Sequence, residues 1–327
     1  MADAEDSTRI EAVIVEGEAA TDVDLTGEAP LGRRLFAEFF GTLLFVAAGT
    51  GAATVLGMGP GRLIQRLEPV FENARQSGAT PAQIEEQTLL FGTFVGSSLA
   101  DVMAVAFTFA TALAVLVYAL GGVSGAHFNP AVTFGLAVVR RFEWREVPFY
   151  WVVQCLGAIV GAFVISGIYG KDGAIFGNEQ ILFGATTIAD GIRMPQAVLA
   201  EAFIAFLLVT AIMAVAIDPR APKGWSGLII GLALAGGILV TATATGGSAN
   251  FARSLGPLVT SWVGSLFLDY GDLNIPWRDL GVYALGPIIG AAAAALLYES
   301  VTGLEVESPA PEPGAASGET ADEDVLA

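Results

Sequence analysis

Two short segments of the sequence pair small residues with an asparagine that stands before an apolar stretch. They are GAHFNPAV at residues 125–132 and GGSANFAR at residues 246–253. Asparagine is a strong helix N-cap, because its side-chain oxygen accepts a backbone N–H that the first helical turn leaves unpaired. Pro130 strengthens the first signal, since its missing N–H is not needed at the first helical position. Asn129 and Asn250 are each predicted to begin a short helix, with amide N–H groups left to donate hydrogen bonds.

Six apolar stretches surround these two segments, and each has the ~20 residues that cross a bilayer. They fall near 35–56, 97–121, 147–170, 197–217, 226–246 and 280–300, and the short helices would cover 130–139 and 251–260. Backbone groups inside hydrocarbon must find partners, so helix ends at mid-membrane require a water-filled cavity. Two helix N-termini that meet at mid-membrane also bring the positive ends of their helix dipoles together there. The arrangement predicts a path for neutral, hydrogen-bonding solutes and a barrier to cations.

The composition favours a membrane protein over a soluble one. Of the 327 residues, 54% are hydrophobic and only 15% are charged, and the 40 glycines are typical of closely packed membrane helices. With one His and one Cys, the sequence offers no metal-ligand cluster, nucleophile–base set or phosphate-binding loop. We predict an all-α polytopic membrane protein that is not an enzyme and has no metal site or cofactor.

The two halves of the chain repeat each other. Glu38 lies near the start of the first apolar stretch and Glu201 near the start of the fourth. Three spans per half place the second copy in the opposite orientation, so the repeat is inverted. However, 91 residues separate Glu38 from Asn129, whereas 49 separate Glu201 from Asn250. The surplus falls on residues 57–96, which we interpret as a long inserted first external loop with an amphipathic helix.

The net charge of −18 is concentrated at the two ends of the chain. Residues 1–30 carry nine acids and one Arg, and residues 301–327 carry seven acids and no base. Such composition predicts disordered, solvated tails. Adaptation of a halophile to a salt-rich cytoplasm is an alternative interpretation of the same acidity. In either case the charge argues against a nucleic-acid partner.

The distribution of Lys and Arg predicts the orientation. Long loops count little in the positive-inside rule, so the inserted loop is set aside together with Arg253, which belongs to a buried segment. Seven bases then fall on the N-terminal side, Arg33, Arg34, Arg140, Arg141, Arg145, Arg220 and Lys223, against Lys171, Arg193 and Arg278. We expect a multi-pass protein of the cell membrane with both termini cytoplasmic. The N-terminal sequence has no features of a cleavable signal peptide.

The sequence resembles the major intrinsic protein family, the aquaporins and glycerol facilitators. SGAHFNPAVT at residues 124–133 matches the family's first Asn-Pro-Ala loop, and NFARSLGP at residues 250–257 matches the second except that Phe251 replaces the usual Pro. The resemblance covers residues 31–300. It implies a right-handed bundle of six transmembrane helices plus two re-entrant half-helices, with one pore per subunit in a homotetramer. It also implies passive transport of water, and in some branches of glycerol or other small neutral solutes.

The resemblance implies roles for individual residues. The selectivity filter would consist of Phe109, Ile238, Gly247 and Arg253, a set similar to that of archaeal aquaporins and wider than a water-only filter. The pore Asn motifs would be Asn129, Pro130 and Ala131 with Asn250, Phe251 and Ala252. Backbone carbonyls would line the pore at Gly125, Ala126, His127, Gly246, Gly247 and Ser248. The two loops would be supported by Glu38, Glu201 and Gln154.

Several functions remain open at this stage. The sequence favours a passive water channel that also passes glycerol or other small neutral solutes and excludes ions and protons. One alternative is a glycerol or small-solute facilitator with little selectivity for water. A coupled transporter would use Glu38 and Glu201 as ion sites. A non-conducting structural member is conceivable because Phe251 adds bulk and a free N–H where Pro is usual.

Overall fold

The computed structural model describes residues 29–84, 86, 99–176 and 179–304. These residues are mostly α-helical. The predictions for the acidic tails fall outside them, apart from residues 29–30 and 301–304. So do residue 85 and residues 87–96 of the predicted insertion.

The longer α-helices of the described ranges are α1 (Leu31–Gln76), α2 (Leu99–Ser124), α3 (Pro130–Val138), α4 (Val147–Tyr169), α5 (Met194–Ile212), α6 (Ser226–Thr245), α7 (Phe251–Phe267) and α8 (Leu280–Thr302). A small antiparallel sheet, β1 (Ile175–Phe176) and β2 (Glu179–Gln180), lies between α4 and α5. Segments long and apolar enough to cross a membrane are Leu31–Gly59, Ala100–Ser124, Val147–Gly173, Met194–Ile217, Ser226–Thr245 and Trp277–Thr302. The six predicted spans are therefore confirmed, and the protein is an integral multi-pass membrane protein.

The two short helices begin where the asparagines predicted. α3 starts at Pro130 and α7 starts at Phe251. The predicted end of the second helix near residue 260 is wrong, because α7 continues to Phe267. The sequence of α7 remains largely apolar beyond residue 260. The side chains of Trp262 and Phe267 are exposed on the outside of the bundle.

Glycines allow the spanning helices to pack at close range. α1 packs on α4, α5 on α8, and α2 on α6. A Cβ atom at Gly161 of α4 would overlap the carbonyl oxygen of Leu43 in α1, and one at Gly290 of α8 would overlap that of Ala202 in α5. Small residues at such contacts let two backbones approach closely. The third span packs on the first span in the same way in both halves, as an internal repeat requires.

Two glycines of α4 provide a matched test of this packing. Gly161→Ala is expected to destabilise the protein by about 1–3 kcal/mol, because the new methyl group would collide with the α1 backbone. Gly167→Ala on the same helix meets nothing within 4 Å. It should be neutral, or stabilising by up to about 1 kcal/mol through its better helix propensity. Thermal unfolding of both variants in one detergent measures the difference, and equal midpoints would contradict the assigned α1–α4 contact.

One end of the bundle, which we call the N-terminal face, holds the start of α1, the α3–α4 and α5–α6 connections, and the end of α8. Ion pairs between Arg34 and Glu146 and between Arg141 and Glu299 tie these segments together. Asp218 accepts hydrogen bonds from the Arg220 guanidinium and from the Tyr298 hydroxyl. The Arg220 side chain holds the pKa of Asp218 well below its usual value, so this corner stays ionised at physiological pH.

Residues 57–76 of the predicted insertion are helical, and this helix is continuous with the first span. α1 continues from its membrane span to Gln76, about 25 Å past Gly59 at 1.5 Å per residue. The glycines of this stretch lower its helix propensity, but packing overrides that preference. Met58 and Phe71 are buried, and the backbone at Gly57 lies against the Ile181 side chain.

Candidate functional site

The two asparagines cap their helices and also join the two loops. Asn129 Oδ1 accepts a hydrogen bond from the Ala131 N–H at 2.9 Å, and Asn250 Oδ1 accepts one from the Arg253 N–H at 3.2 Å. In addition, Asn129 Nδ2 donates to the Ala249 carbonyl and Asn250 Nδ2 donates to the Phe128 carbonyl, each at 2.9 Å. Each amide carries two N–H groups, so the second is left unused by the hydrogen bonds among the described residues. Each amide can therefore donate one further hydrogen bond.

The loops before both helices have the same unusual backbone. Residues four, three and one positions before each asparagine have positive φ: Gly125 (87°), Ala126 (51°) and Phe128 (47°) in the first loop, Gly246 (76°), Gly247 (62°) and Ala249 (54°) in the second. Non-glycine residues rarely adopt this left-handed conformation, so the loops must be held in it by surrounding groups. The matching offsets show that the two loops share one conformation.

Glu38 holds the first loop. Its carboxylate accepts hydrogen bonds from the Ser124 hydroxyl (2.8 Å), the His127 N–H (2.9 Å), the Phe128 N–H (2.7 Å) and Gln154 Nε2 (2.8 Å). The side chain is fully buried. Gln154 Nε2 also lies 3.1 Å from the Thr133 hydroxyl of α3. Glu38 and Gln154, both predicted to support this loop, thus bond to each other and contact the loop and the helix that follows it.

Glu201 holds the second loop in the same manner. Its carboxylate accepts hydrogen bonds from the Thr245 hydroxyl (2.6 Å), the Ser248 N–H (3.1 Å) and the Ala249 N–H (2.7 Å). It too is fully buried. Each carboxylate accepts two backbone N–H groups of its loop and side-chain donors from the neighbouring helices, so its geometry suits a structural role.

Sequence reasoning missed four partners of these carboxylates and loops. Ser124 and Thr245 each stand five residues before an asparagine, and each hydroxyl bonds to the glutamate of its half. The hydroxyl groups of Tyr150 and Tyr283 donate to the carbonyls of Ser124 and Thr245, at 2.9 and 2.8 Å. The signal that could have found them is their equivalent placement in the two halves of the repeat.

Arg253 lies against Phe109, another predicted filter residue. Its guanidinium carbon is 4.9 Å from the centre of the Phe109 ring, a cation–π geometry. The Ile238 Cα lies 3.1 Å from where a Cβ would stand on Gly247, so these two residues also adjoin. The structure thus brings the four predicted filter residues together as two contacting pairs. That all four surround one constriction remains a prediction.

Gly184 is a partner of Arg253 that the sequence did not indicate. Its carbonyl accepts a hydrogen bond from Arg253 Nη1 at 3.0 Å. The preceding Leu182 and Phe183 also have positive φ, and a Cβ on Gly184 would come within 2.6 Å of the Thr50 carbonyl oxygen in α1. The α4–α5 connection is therefore pressed against α1 and aims a carbonyl at the buried guanidinium.

A cavity of about 710 Å³ runs from the N-terminal face to the two asparagines. Arg34 and Lys223 line it near the N-terminal face, and Asn129 and Asn250 line it at the centre of the bundle. Four of the residues predicted to line the pore through their backbones also border it, Gly125, Ala126, His127 and Ser248. A cavity of the kind that the half-helices require is therefore present on this side of the bundle.

His127 is one of the side chains at the wall of this cavity. Its Nδ1 lies 3.1 Å from the Thr133 hydroxyl, and its ring meets the Phe142 ring edge to face. These contacts fix the imidazole beside the first loop.

Comparison with known proteins places this site in a defined context. The sequence profile of the major intrinsic protein family matches residues 27–298. Aquaporin AqpM of Methanothermobacter marburgensis is 38% identical over 272 residues, which cover 83% of this chain and 98% of that protein. Aquaporin NIP1-1 of Oryza sativa is 32% identical over 277 residues, 85% of this chain and 77% of that protein. Among solved structures, the aquaglyceroporin from Plasmodium falciparum matches with a TM-score of 0.62 at 21% identity, over 83% of this chain and 97% of that one.

Proposed function

Because this chain belongs to the major intrinsic protein family and is a passive channel for water and small solutes, we propose that water is its principal substrate and that glycerol also passes. The observation that carries this proposal is the cavity that leads from the N-terminal face to Asn129 and Asn250. Both amides keep one N–H that can bond to an oxygen of the solute. A water molecule offers such an oxygen, and it is small enough to pass any pore that admits a larger solute.

The residues predicted to form the filter support the passage of glycerol. Gly247 contributes no side chain, and the adjoining Ile238 is apolar. The hydroxyl groups of a polyol could form hydrogen bonds with Arg253 while the carbon chain of the polyol lies against Ile238. A glycerol facilitator with little preference for water uses the same chemistry, so the rates of the two solutes must be compared.

Stopped-flow light scattering on proteoliposomes tests the proposal. Vesicles with the protein should shrink several-fold faster than empty vesicles in sucrose, which does not permeate, and should re-swell when the external osmolyte is glycerol. The variant Gly167→Ala, at an exposed position of α4, serves as a reconstitution control and should match the wild type. Fast re-swelling with slow shrinkage would favour the glycerol facilitator instead. Shrinkage equal to that of empty vesicles would refute water conduction.

The effect of Phe251 is tested by restoring proline. Phe251 is the first residue of α7, where a proline loses no helical hydrogen bond, and the Asn250 cap bonds to Arg253 rather than to Phe251. We expect Phe251→Pro to stabilise the protein by up to about 1 kcal/mol through reduced freedom of the unfolded chain. Its water permeability should equal that of the wild type.

Phe251→Ala is the control for this test, because it removes the ring without fixing φ. The permeabilities of the wild type and both variants are measured in matched vesicles. Flux that appears in the proline variant alone would support the non-conducting alternative.

A coupled transporter receives less support from the contacts. The carboxylates of Glu38 and Glu201 are occupied by donors from their own loops. An ion site at either position would have to displace these hydrogen bonds, which hold the strained loop backbone.

The remaining parts of the proposal follow from the family and from the charge distribution. We propose a homotetramer in the cell membrane with a pore in each subunit and both termini in the cytoplasm. The N-terminal face is then the cytoplasmic face, and the described cavity is the inner vestibule.

A further inference from the structure

We propose that Tyr270 is a positioning residue for the predicted filter, because it holds in place the segment to which Arg253 bonds. The proposal rests on the proposed function, which assigns Arg253 to the filter. Tyr270 lies in the connection between α7 and α8, just after the end of the helix that carries Arg253. It acts on the guanidinium through two consecutive residues of the α4–α5 connection, Phe183 and Gly184.

The Gly184 carbonyl, which accepts the hydrogen bond from Arg253, stands at the end of a strained turn. Leu182, Phe183 and Gly184 have successive positive φ values of 49°, 52° and 67°. Residues other than glycine rarely adopt this conformation unless surrounding groups impose it. The direction of the Gly184 carbonyl therefore depends on what holds Phe183, the residue directly before it.

The Phe183 ring is held in a small apolar cluster. Its side chain is fully buried, and the other buried members of the cluster are Ile165, Ala174 and Tyr270. The centres of the Phe183 and Tyr270 rings lie 5.8 Å apart with the ring planes at 55°, a geometry in which aromatic rings attract each other. Tyr270 is the largest of these three neighbours, so it supplies much of the surface that fixes Phe183.

Tyr270 is suited to this role because it is itself fixed from two sides. Its backbone N–H donates to the Gly264 carbonyl of α7 at 3.2 Å. Its hydroxyl lies 3.0 Å from the Ser166 hydroxyl of α4, within hydrogen-bonding distance. A Cβ on Gly264 would overlap the Tyr270 ring, so this ring packs directly on α7. One helix therefore carries the Arg253 guanidinium and, through Tyr270, orders the residue beside its acceptor.

Removal of the ring tests the proposal through the ratio of glycerol to water permeability in proteoliposomes. Tyr270→Ala should raise this ratio several-fold, because a guanidinium without a fixed acceptor no longer holds the opening at one width. A purely structural role would only lower the number of working channels, which scales both permeabilities equally and leaves their ratio unchanged. A ratio equal to that of the wild type would therefore overturn the proposal.

Three further variants complete this experiment. Tyr270→Phe keeps the ring against Phe183 and loses only the bond to Ser166, so its ratio should equal that of the wild type. Trp277→Ala removes a ring that contacts Trp262 instead, and it should also match the wild type. An equal rise in Trp277→Ala would overturn the proposal. If Tyr270→Ala does not fold, Tyr270→Leu keeps an apolar side chain in the cluster and should still raise the ratio, though by less; an unchanged ratio in this variant would be equally adverse.

Hydrogen exchange followed by mass spectrometry tests the positioning without any transport. The N–H groups of Gly184 and Ala185 each donate a hydrogen bond to the carbonyl three residues earlier. In Tyr270→Ala, a peptide that covers residues 181–186 should exchange faster than in the wild type, whereas in Tyr270→Phe it should not. Unchanged exchange in Tyr270→Ala would refute the positioning role. If the wild type conducted neither solute, the proposed function would fail, while this measurement would still decide whether Tyr270 holds the segment.

Discussion

Replacement of Glu38 by alanine is expected to leave little folded protein. The substitution removes the acceptor of four hydrogen bonds, two of which come from the backbone N–H groups of His127 and Phe128. A buried N–H left without a partner costs about 1–3 kcal/mol, so these two groups alone cost about 2–6 kcal/mol. Whole proteins are stable by only about 5–15 kcal/mol. The loop also loses what holds Phe128 in its left-handed conformation.

Graded variants separate this role from a simple loss of charge. Glu38→Gln keeps one acceptor oxygen but places an NH₂ group opposite two of the donors. Its stability should therefore lie between that of the wild type and that of Glu38→Ala. Glu201→Ala should destabilise the protein somewhat less than Glu38→Ala, because Glu201 accepts three hydrogen bonds where Glu38 accepts four. Glu143→Gln removes a charge from an exposed side chain and should change nothing.

The measurements are the yield of monodisperse protein in detergent and the midpoint of thermal unfolding. An ion-coupling role for Glu38 predicts something different, namely a stable protein with altered transport. A Glu38→Ala protein as stable as the wild type would therefore contradict the structural role.

Replacement of Arg253 by alanine is expected to let cations and protons leak through the channel. The guanidinium is buried, and its bonding partners Gly184 and Phe109 are uncharged. At 8 Å and an effective dielectric constant of about 20, it repels a monovalent cation by about 2 kcal/mol. Loss of that barrier corresponds to about a thirty-fold increase in the rate of cation entry. Water, being neutral, should pass at least as fast as in the wild type.

Arg253→Lys is the matched control, since it keeps the charge but loses the planar group that stacks on Phe109. Proton entry is followed with a pH-sensitive dye inside vesicles under an imposed potential, with water flux recorded on the same preparation. We expect a leak in the alanine variant and a much smaller one in the lysine variant. If the alanine variant conducts water but is as tight to protons as the wild type, the charge of Arg253 is not the barrier.

The sequence by itself determined the class and layout of this protein. Apolar stretches of spanning length located all six membrane helices, because a bilayer allows few structures besides long apolar helices. Asn129 and Asn250 located the starts of α3 and α7, since capping depends on one side chain and the next turn of backbone. The repeated glutamates led to the prediction that these two acids support the loops. All of these signals are local or periodic, and the sequence displays them directly.

The tertiary structure decided what depends on distant contacts. The left-handed conformation of Phe128 and Ala249 is imposed by carboxylates some 90 and 48 residues away in the chain. The bond from Arg253 to Gly184 arises because the α4–α5 connection is packed against α1, and no local pattern marks it. The sequence predicted a helix within residues 57–96, but only the structure shows that residues 57–76 continue the first spanning helix without a break. Propensity acts over a few residues, whereas burial and hydrogen bonding across the bundle fix the site.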